Sequence, residues 1–196
     1  MWVSRLLLLL CILLLPACGE HESPSPYHAI DVTVPLAQAD LHLADFNGRP
    51  RSLADFRDKV VVLFFGYTHC PVACPTTLAD LAQVMRMLGK DADRVQVLFV
   101  TVDPERDTPE LLAKFVPAFH PSFLGLSGDA QATAQAAKSF GVSYEKQYYK
   151  KGGYTFLHSD GTFLVGPKGK PLLLSRYGQP ADLLVQDIRL LLDNDR

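Results

Sequence analysis

Residues 61–81 read VVLFFGYTHCPVACPTTLADL. Together with Val60, the apolar run up to Phe65 has the continuous character of a strand buried on both faces of a sheet. From Pro75 to Leu88 the apolar residues Leu78, Leu81, Ala82, Met85 and Leu88 recur at helical spacing. Cys70 and Cys74 lie between these segments, each followed by a proline. The thiols therefore fall where a strand gives way to a helix, the sheet edge at which α/β folds place their ligands. Pro75 has no backbone donor and suits the first helical position, which predicts Cys74 at the N-cap and Cys70 in the preceding loop. A helix N-terminus favours anions, so both thiols are expected to lose protons more readily than usual.

The segments on either side extend the pattern. Val95–Asp103, VQVLFVTVD, reads as a second buried strand. Thr108-Pro109-Glu110 then supplies an N-cap, a proline at the first helical position and an early acid for a helix running to about Phe119. Asp129 is expected to cap a further helix, stopped near Phe140 by Gly141. Thr162–Val165 and Leu172–Ser175 flank GPKGKP as an antiparallel hairpin, and Gln179-Pro180 opens a last helix to about Leu192. Ahead of all these, Asn47-Gly48 between extended flanks is a two-residue hairpin signal. The order predicts a thioredoxin-like α/β fold with an additional N-terminal β-hairpin and a helical insertion at Asp129.

The chain has 196 residues, 48% hydrophobic and 20% charged, with a formal net charge of -2. That suits one domain with a substantial core. There is no basic run or recognition motif, which argues against a nucleic-acid partner. Residues 1–18 read as an export signal: Arg5, an apolar block from Leu6 to Leu15, then Pro16-Ala17-Cys18. The block falls short of the roughly 20 residues that span a bilayer. Its end resembles a bacterial lipoprotein box, which makes Cys18 the candidate lipidated residue and places the protein in the cell envelope, facing the periplasm from a membrane anchor. Residues 19–35 are polar with interspersed prolines and are expected to form a flexible tether. Residues 36–196 form the folded domain.

With Cys11 removed and Cys18 lipidated, only Cys70 and Cys74 remain as thiols in that domain. Two close cysteines do not make a disulfide-stapled scaffold; they point to chemistry. Dithiol oxidoreductases of this fold usually have two residues between the cysteines, whereas here there are three. The longer loop lets both sulfurs face a shared centre, and two thiolates suit Cu(I). On spacing alone, a redox-active disulfide and a metal site both stand. His158 lies on the approach to the Thr162 strand, where oxidoreductases of this fold carry a cis-proline beside the cysteine loop. Apart from the cysteine motif it would be an ordinary surface histidine. His69 adjoins Cys70, but its backbone position directs the ring away and leaves it a role in tuning the thiolate.

FFGYTHCPVACP, VTVDPERDTPE, LHSDGTFLVGPKGK and YGQ occur in this order, and the sequence from about Val34 to Leu192 resembles the Sco/SenC family of copper chaperones. The resemblance implies copper bound as Cu(I), with Cu(II) occupancy left open, through Cys70, Cys74 and His158. It further implies delivery of copper to the dinuclear centre of cytochrome c oxidase subunit II or another copper client, or reduction of that subunit's cysteines. A periplasmic copper donor or thiol reductant would then serve the protein. The family's conserved acid falls on Asp103, with a role near the metal or in partner docking; read without the family it is a turn acid before Pro104. Leu157 stands where the family usually has an acid, and Val72-Ala73 make the interior of the cysteine motif more apolar than its common form. Taken without the metal, the thiols suggest a thiol-disulfide oxidoreductase of the cell envelope, with Cys70 as nucleophile in the more accessible loop.

Overall fold

A computed structural model describes residues 25–169 and 171–194; the expected export signal, Cys18 and the first residues of the expected tether lie outside the described residues. The strands are β1 (Ile30–Asp31), β2 (Leu43–Asp45), β3 (Pro50–Arg51), β4 (Val60–Gly66), β5 (Val95–Thr101), β6 (Leu124–Ser127), β7 (Tyr144–Tyr148), β8 (Tyr154–His158), β9 (Thr162–Val165) and β10 (Pro171–Ser175). The α-helices are α1 (Ala73–Leu88), α2 (Pro109–Phe115), α3 (Ala130–Ser139) and α4 (Ala181–Asp193). One sheet has the order β1-β10-β9-β4-β5-β6-β2-β3, and β7 and β8 pair separately.

The centre of the large sheet is what the apolar runs require. Every residue of β4 is buried, and β5 runs parallel to it in unbroken register from Val60↔Val95 to Gly66↔Thr101. The crossover between them is α1, which buries Leu78, Leu81, Met85 and Leu88 and packs against α4. This register brings the carboxyl ends of β4 and β5 side by side. The loops that leave those ends, residues 67–72 and 102–108, are therefore neighbours.

The thioredoxin-like α/β layout, the N-terminal hairpin and the inserted α3 are all present. Asp129 caps α3 through Oδ1, which accepts from the Ala132 N–H at 2.8 Å. Several details differ from expectation. The Asn47-Gly48 turn is a three-residue loop: the Asp45 N–H donates to the Arg49 carbonyl at 2.9 Å and the Gly48 N–H to the Asp45 carbonyl at 2.8 Å. Gly48 has φ 77°, which completes the turn in the left-handed region. The second helix stops at Phe115, short of Phe119: Val116 keeps helical backbone as the C-cap, but Pro117 has no N–H to continue the ladder.

The folded body also begins earlier than residue 36. Strand β1 pairs with β10, and Ala29 is buried. The N–H groups of His28 and Ala29 donate to the two carboxylate oxygens of Asp187 on α4, at 2.8 and 2.9 Å. A carboxylate buried in a terminal helix is costly unless satisfied, and here the chain expected to be a tether satisfies it.

The largest departure is the β7–β8 hairpin. It lies before the strand Thr162–Val165 and carries His158 as its last residue. Both strands are half-exposed and rich in polar residues, so neither has the apolar run that marks the central strands.

Candidate metal centre

The cysteine loop starts where β4 ends at Gly66. A side chain there would meet the core: a Cβ would lie 2.9 Å from Cys74 Sγ, 2.9 Å from Phe99 Cε2 and 3.0 Å from Phe64 Cε1. The glycine is required by this close approach, and through it the Cys74 sulfur sits directly against the sheet. Helix α1 begins two residues earlier than expected. Val72 is its N-cap, Cys74 its second residue and Pro75 its third, still within the first turn where a missing N–H costs nothing. Cys74 is fully buried and part of the hydrophobic core, while Cys70 is half-buried in the loop and its Sγ accepts from the Cys74 N–H at 3.4 Å. Neither cysteine is in a disulfide.

Asp107, in the loop after β5, fastens the cysteine loop. Its buried carboxylate accepts from the Thr68 N–H at 2.9 Å, from the Thr68 hydroxyl at 2.6 Å and from the Thr101 hydroxyl at 2.6 Å. One acid thus ties the start of the cysteine loop to the end of β5.

His158 approaches from the separate hairpin. Its Nδ1–H donates to the Ser159 carbonyl at 2.8 Å, which leaves the Nε2 lone pair facing Cys74 Sγ at 3.7 Å. The ring edges pack on Tyr67 and Phe64, with centroids 5.8 and 6.4 Å away. One ligand atom each from Cys70, Cys74 and His158 lies within 4.8 Å of the others. Three donors about 2.0–2.3 Å from one ion would be about 3.5–4 Å apart, so a small closure accommodates a metal. Two thiolates and an imidazole form a soft set that suits Cu(I). Cys74 closes the inner side, and the half-buried Cys70 and His158 leave the outer side accessible. Val72 and Leu157, beside these ligands in sequence, are both 63% exposed, so the neighbouring surface is apolar.

The electrostatics reverse one expectation. Burial pushes the Cys74 thiol well above its ordinary value of 9.0; the Tyr67 backbone pulls the other way, and Cys70 and Asp107 add to the rise. Desolvation outweighs the helix terminus. In the folded, reduced, metal-free protein Cys74 keeps its proton at pH values where the unfolded chain has lost it. Stability is therefore fully present below the ordinary thiol value and falls as pH rises through and above it. Urea unfolding should show a loss approaching about 1.4 kcal/mol per pH unit above about pH 9, and Cys74→Ala should flatten that slope.

The remaining candidates lie elsewhere. The His69 Nδ1 is 3.0 Å from the Thr68 hydroxyl and 3.7 Å from Asp107 Oδ1, and His69 is not in the ligand group. Asp103 is buried, paired with Arg106 Nε, and accepts from the Tyr154 hydroxyl at 2.8 Å. Among the described residues no other group of three or more His, Cys, Asp or Glu side chains is arranged to hold a metal.

A family model described as SCO1/SenC matches residues 34–193. The chain belongs to the SCO1/SenC family. The human protein SCO2 homolog, mitochondrial, is 42% identical over 152 residues, covering 74% of this chain and 54% of that protein. The mouse SCO2 homolog is 40% identical over 164 residues, covering 79% of this chain and 62% of that protein. The chain thus spans only about half to three fifths of these relatives' length. Among solved structures, apo Sco1 from Thermus thermophilus is 46% identical with a TM-score of 0.71, covering 78% of this chain and 90% of that one. ScoI from Bradyrhizobium japonicum with copper bound is 35% identical with a TM-score of 0.72, covering 78% of this family member and 98% of ScoI. No helix among the described residues is long and apolar enough to cross a membrane.

Proposed function

We propose that this family member is an exported copper carrier. It binds Cu(I) through Cys70, Cys74 and His158 and passes it to the dinuclear copper site of cytochrome c oxidase subunit II. The observation that carries the reading is the convergence of two sulfurs and an imidazole within 4.8 Å, with Nδ1 engaged so that Nε2 is the free donor. The copper-bound ScoI of Bradyrhizobium japonicum supports the choice of metal. In this account Cys74 and its position against Gly66 anchor the ion on the inner side. Cys70 and His158 complete a three-coordinate site on the accessible side, where a thiolate of the client enters and takes the ion by ligand exchange. Binding displaces the thiol protons, so loading strengthens as pH rises. The apolar surface at Val72 and Leu157 meets the client. The export signal and a lipid on Cys18 would hold the domain at the periplasmic face of a membrane.

The same thiols support a second role. Cys70 and Cys74 can pass two electrons to a disulfide in the client, becoming a disulfide themselves while the client gains two thiols that can receive copper. The proximity of the two free sulfurs favours this reading, and a periplasmic thiol reductant would then regenerate them.

The test is a competition for Cu(I) between the reduced domain and a chelator. Wild type should bind one ion, and His158→Ala should weaken binding about tenfold or more by leaving two sulfurs as the only protein ligands. Equal affinities would remove His158 from the site. A wild type that binds no copper but reduces a client disulfide would leave the oxidoreductase reading in place.

A further inference from the structure

We propose that Asp103, Arg106 and Tyr154 form a latch that seats the β7–β8 hairpin on the sheet and thereby positions His158 against the two sulfurs. The functional consequence rests on the copper reading above; the latch itself stands on geometry in the metal-free protein.

Two of the three ligands belong to the main body, on the loop and helix that follow β4. The third sits at the end of a hairpin whose strands pair only with each other. Backbone hydrogen bonds of the large sheet therefore do not fix the imidazole; side chains must. Along β8, Tyr154, Phe156 and His158 alternate onto one face. Tyr67 meets the middle of this row, with its hydroxyl 2.8 Å from Thr155 Oγ1 and its ring 5.5 Å from that of Phe156. The other attachment is at Tyr154. Arg106 Cζ stands 3.8 Å above the Tyr154 ring, and Arg106 Nη1 donates to the Tyr154 carbonyl at 3.0 Å. The Tyr154 hydroxyl donates to Asp103 Oδ1 at 2.8 Å, and the other oxygen of Asp103 accepts from Arg106 Nε. Ring, backbone and hydroxyl of one residue are thus gripped by an ion pair whose carboxylate is buried and whose guanidinium is partly so, an arrangement far more directional than a surface contact. Lys146 of β7 reaches the same loop through Glu105, at 2.8 and 2.9 Å, but that pair is exposed and contributes less.

The loop that holds the hairpin also holds the cysteines. Asp103 and Asp107 are one turn apart, joined by an Asp107 N–H to Asp103 carbonyl bond at 2.9 Å. Asp107 fixes Thr68 of the cysteine loop, while Asp103 with Arg106 fixes Tyr154 of the hairpin. A single turn of chain therefore aligns the two halves of the site. Asp103 is a positioning residue: it is 1% exposed and engaged on the hairpin, which leaves it no free surface with which to dock a partner.

The experiment is a double-mutant cycle in the reduced domain, read by Cu(I) competition with a chelator. Tyr154→Ser should weaken binding about tenfold when His158 is present and less than twofold in a His158→Ala background, because only the imidazole's placement is lost. Tyr154→Phe, which keeps the ring over Arg106, should recover part of the affinity. In the metal-free protein, the Tyr67 and Phe64 rings, 5.8 and 6.4 Å from the imidazole, should shift the His158 ring-proton resonances. Tyr154→Ser should move them towards the values of a free histidine while methyl resonances of β4 and β5 stay in place. Equal losses of affinity with and without His158, or unmoved imidazole resonances, would overturn the latch. If wild type binds no copper, the carrier reading fails and the imidazole resonances alone decide the latch.

Discussion

Asp107→Ala is expected to destabilise the protein by about 2–4 kcal/mol and to free the cysteine loop from the sheet. The carboxylate is 1% exposed and satisfies three donors: the Thr68 N–H, the Thr68 hydroxyl and the Thr101 hydroxyl. Truncation leaves them facing a cavity that no other side chain of the loop fills, and the Thr68 N–H cannot rotate to find a new partner. The loop carrying Cys70 then loses its fixed start, so copper binding weakens as well as the fold. Asp107→Asn separates the two consequences. Its oxygen can take the Thr68 N–H and Thr101 hydroxyl, and its amide can face the Thr68 hydroxyl, which accepts as readily as it donates. That variant should retain most of the stability. It also removes a negative charge that helps to raise the Cys74 thiol, so the alkaline stability loss should begin at the same pH and be slightly smaller in total, burial remaining the main cause. Urea denaturation of the three proteins, with Cu(I) competition on each, gives both quantities.

Gly66→Ala should cost about 2–3 kcal/mol, although alanine is normally the milder residue within a strand. The added methyl would be 2.9 Å from both Cys74 Sγ and Phe99 Cε2, closer than packed atoms come. The Phe99 ring lies within a full core and cannot yield, whereas the Cys74 sulfur can turn away about its one side-chain bond. That rotation relieves the clash by moving a ligand. The expected signature is a stability loss accompanied by a fall in Cu(I) affinity larger than that of His158→Ala, since the displaced donor is a thiolate. Retention of wild-type affinity at reduced stability would mean that the sheet, and not the sulfur, had moved.

Sequence and structure agree best where a segment determines its own state. The runs at Val60–Phe65 and Val95–Thr101 are too apolar and β-branched to be anything but central strands, and the helical spacing after Pro75 leaves one reading for α1. The cysteine pair followed from this, because its place at the end of β4 is fixed by the elements on either side. The hairpin β7–β8 did not follow. Tyr144–Tyr148 is YEKQY, half-exposed or exposed throughout, and what holds the hairpin is Arg106, Glu105 and Tyr67 from distant parts of the chain. The aromatic residues Tyr144, Tyr148, Tyr154 and Phe156 on either side of Gly152-Gly153 were the available signal of a hairpin.

The acids show the same limit. In sequence, Asp103, Glu105 and Asp107 are alternating acids in a proline-containing turn and read alike. Only the parallel register of β4 and β5 separates them, burying Asp107 under Thr68 and Asp103 under Tyr154 while Glu105 stays at the surface. The thiol protons likewise depend on depth. A helix N-terminus is visible in sequence, but the burial that outweighs it at Cys74 comes from its place in the core, with the sulfur against Gly66.

X-ray absorption at the copper edge of the Cu(I)-loaded domain reads the ligand set itself. The ion should be three-coordinate with two sulfur neighbours and one imidazole nitrogen, reduced to two sulfurs in His158→Ala. A wild-type spectrum of two sulfurs alone, unchanged by that substitution, would contradict the three-ligand site.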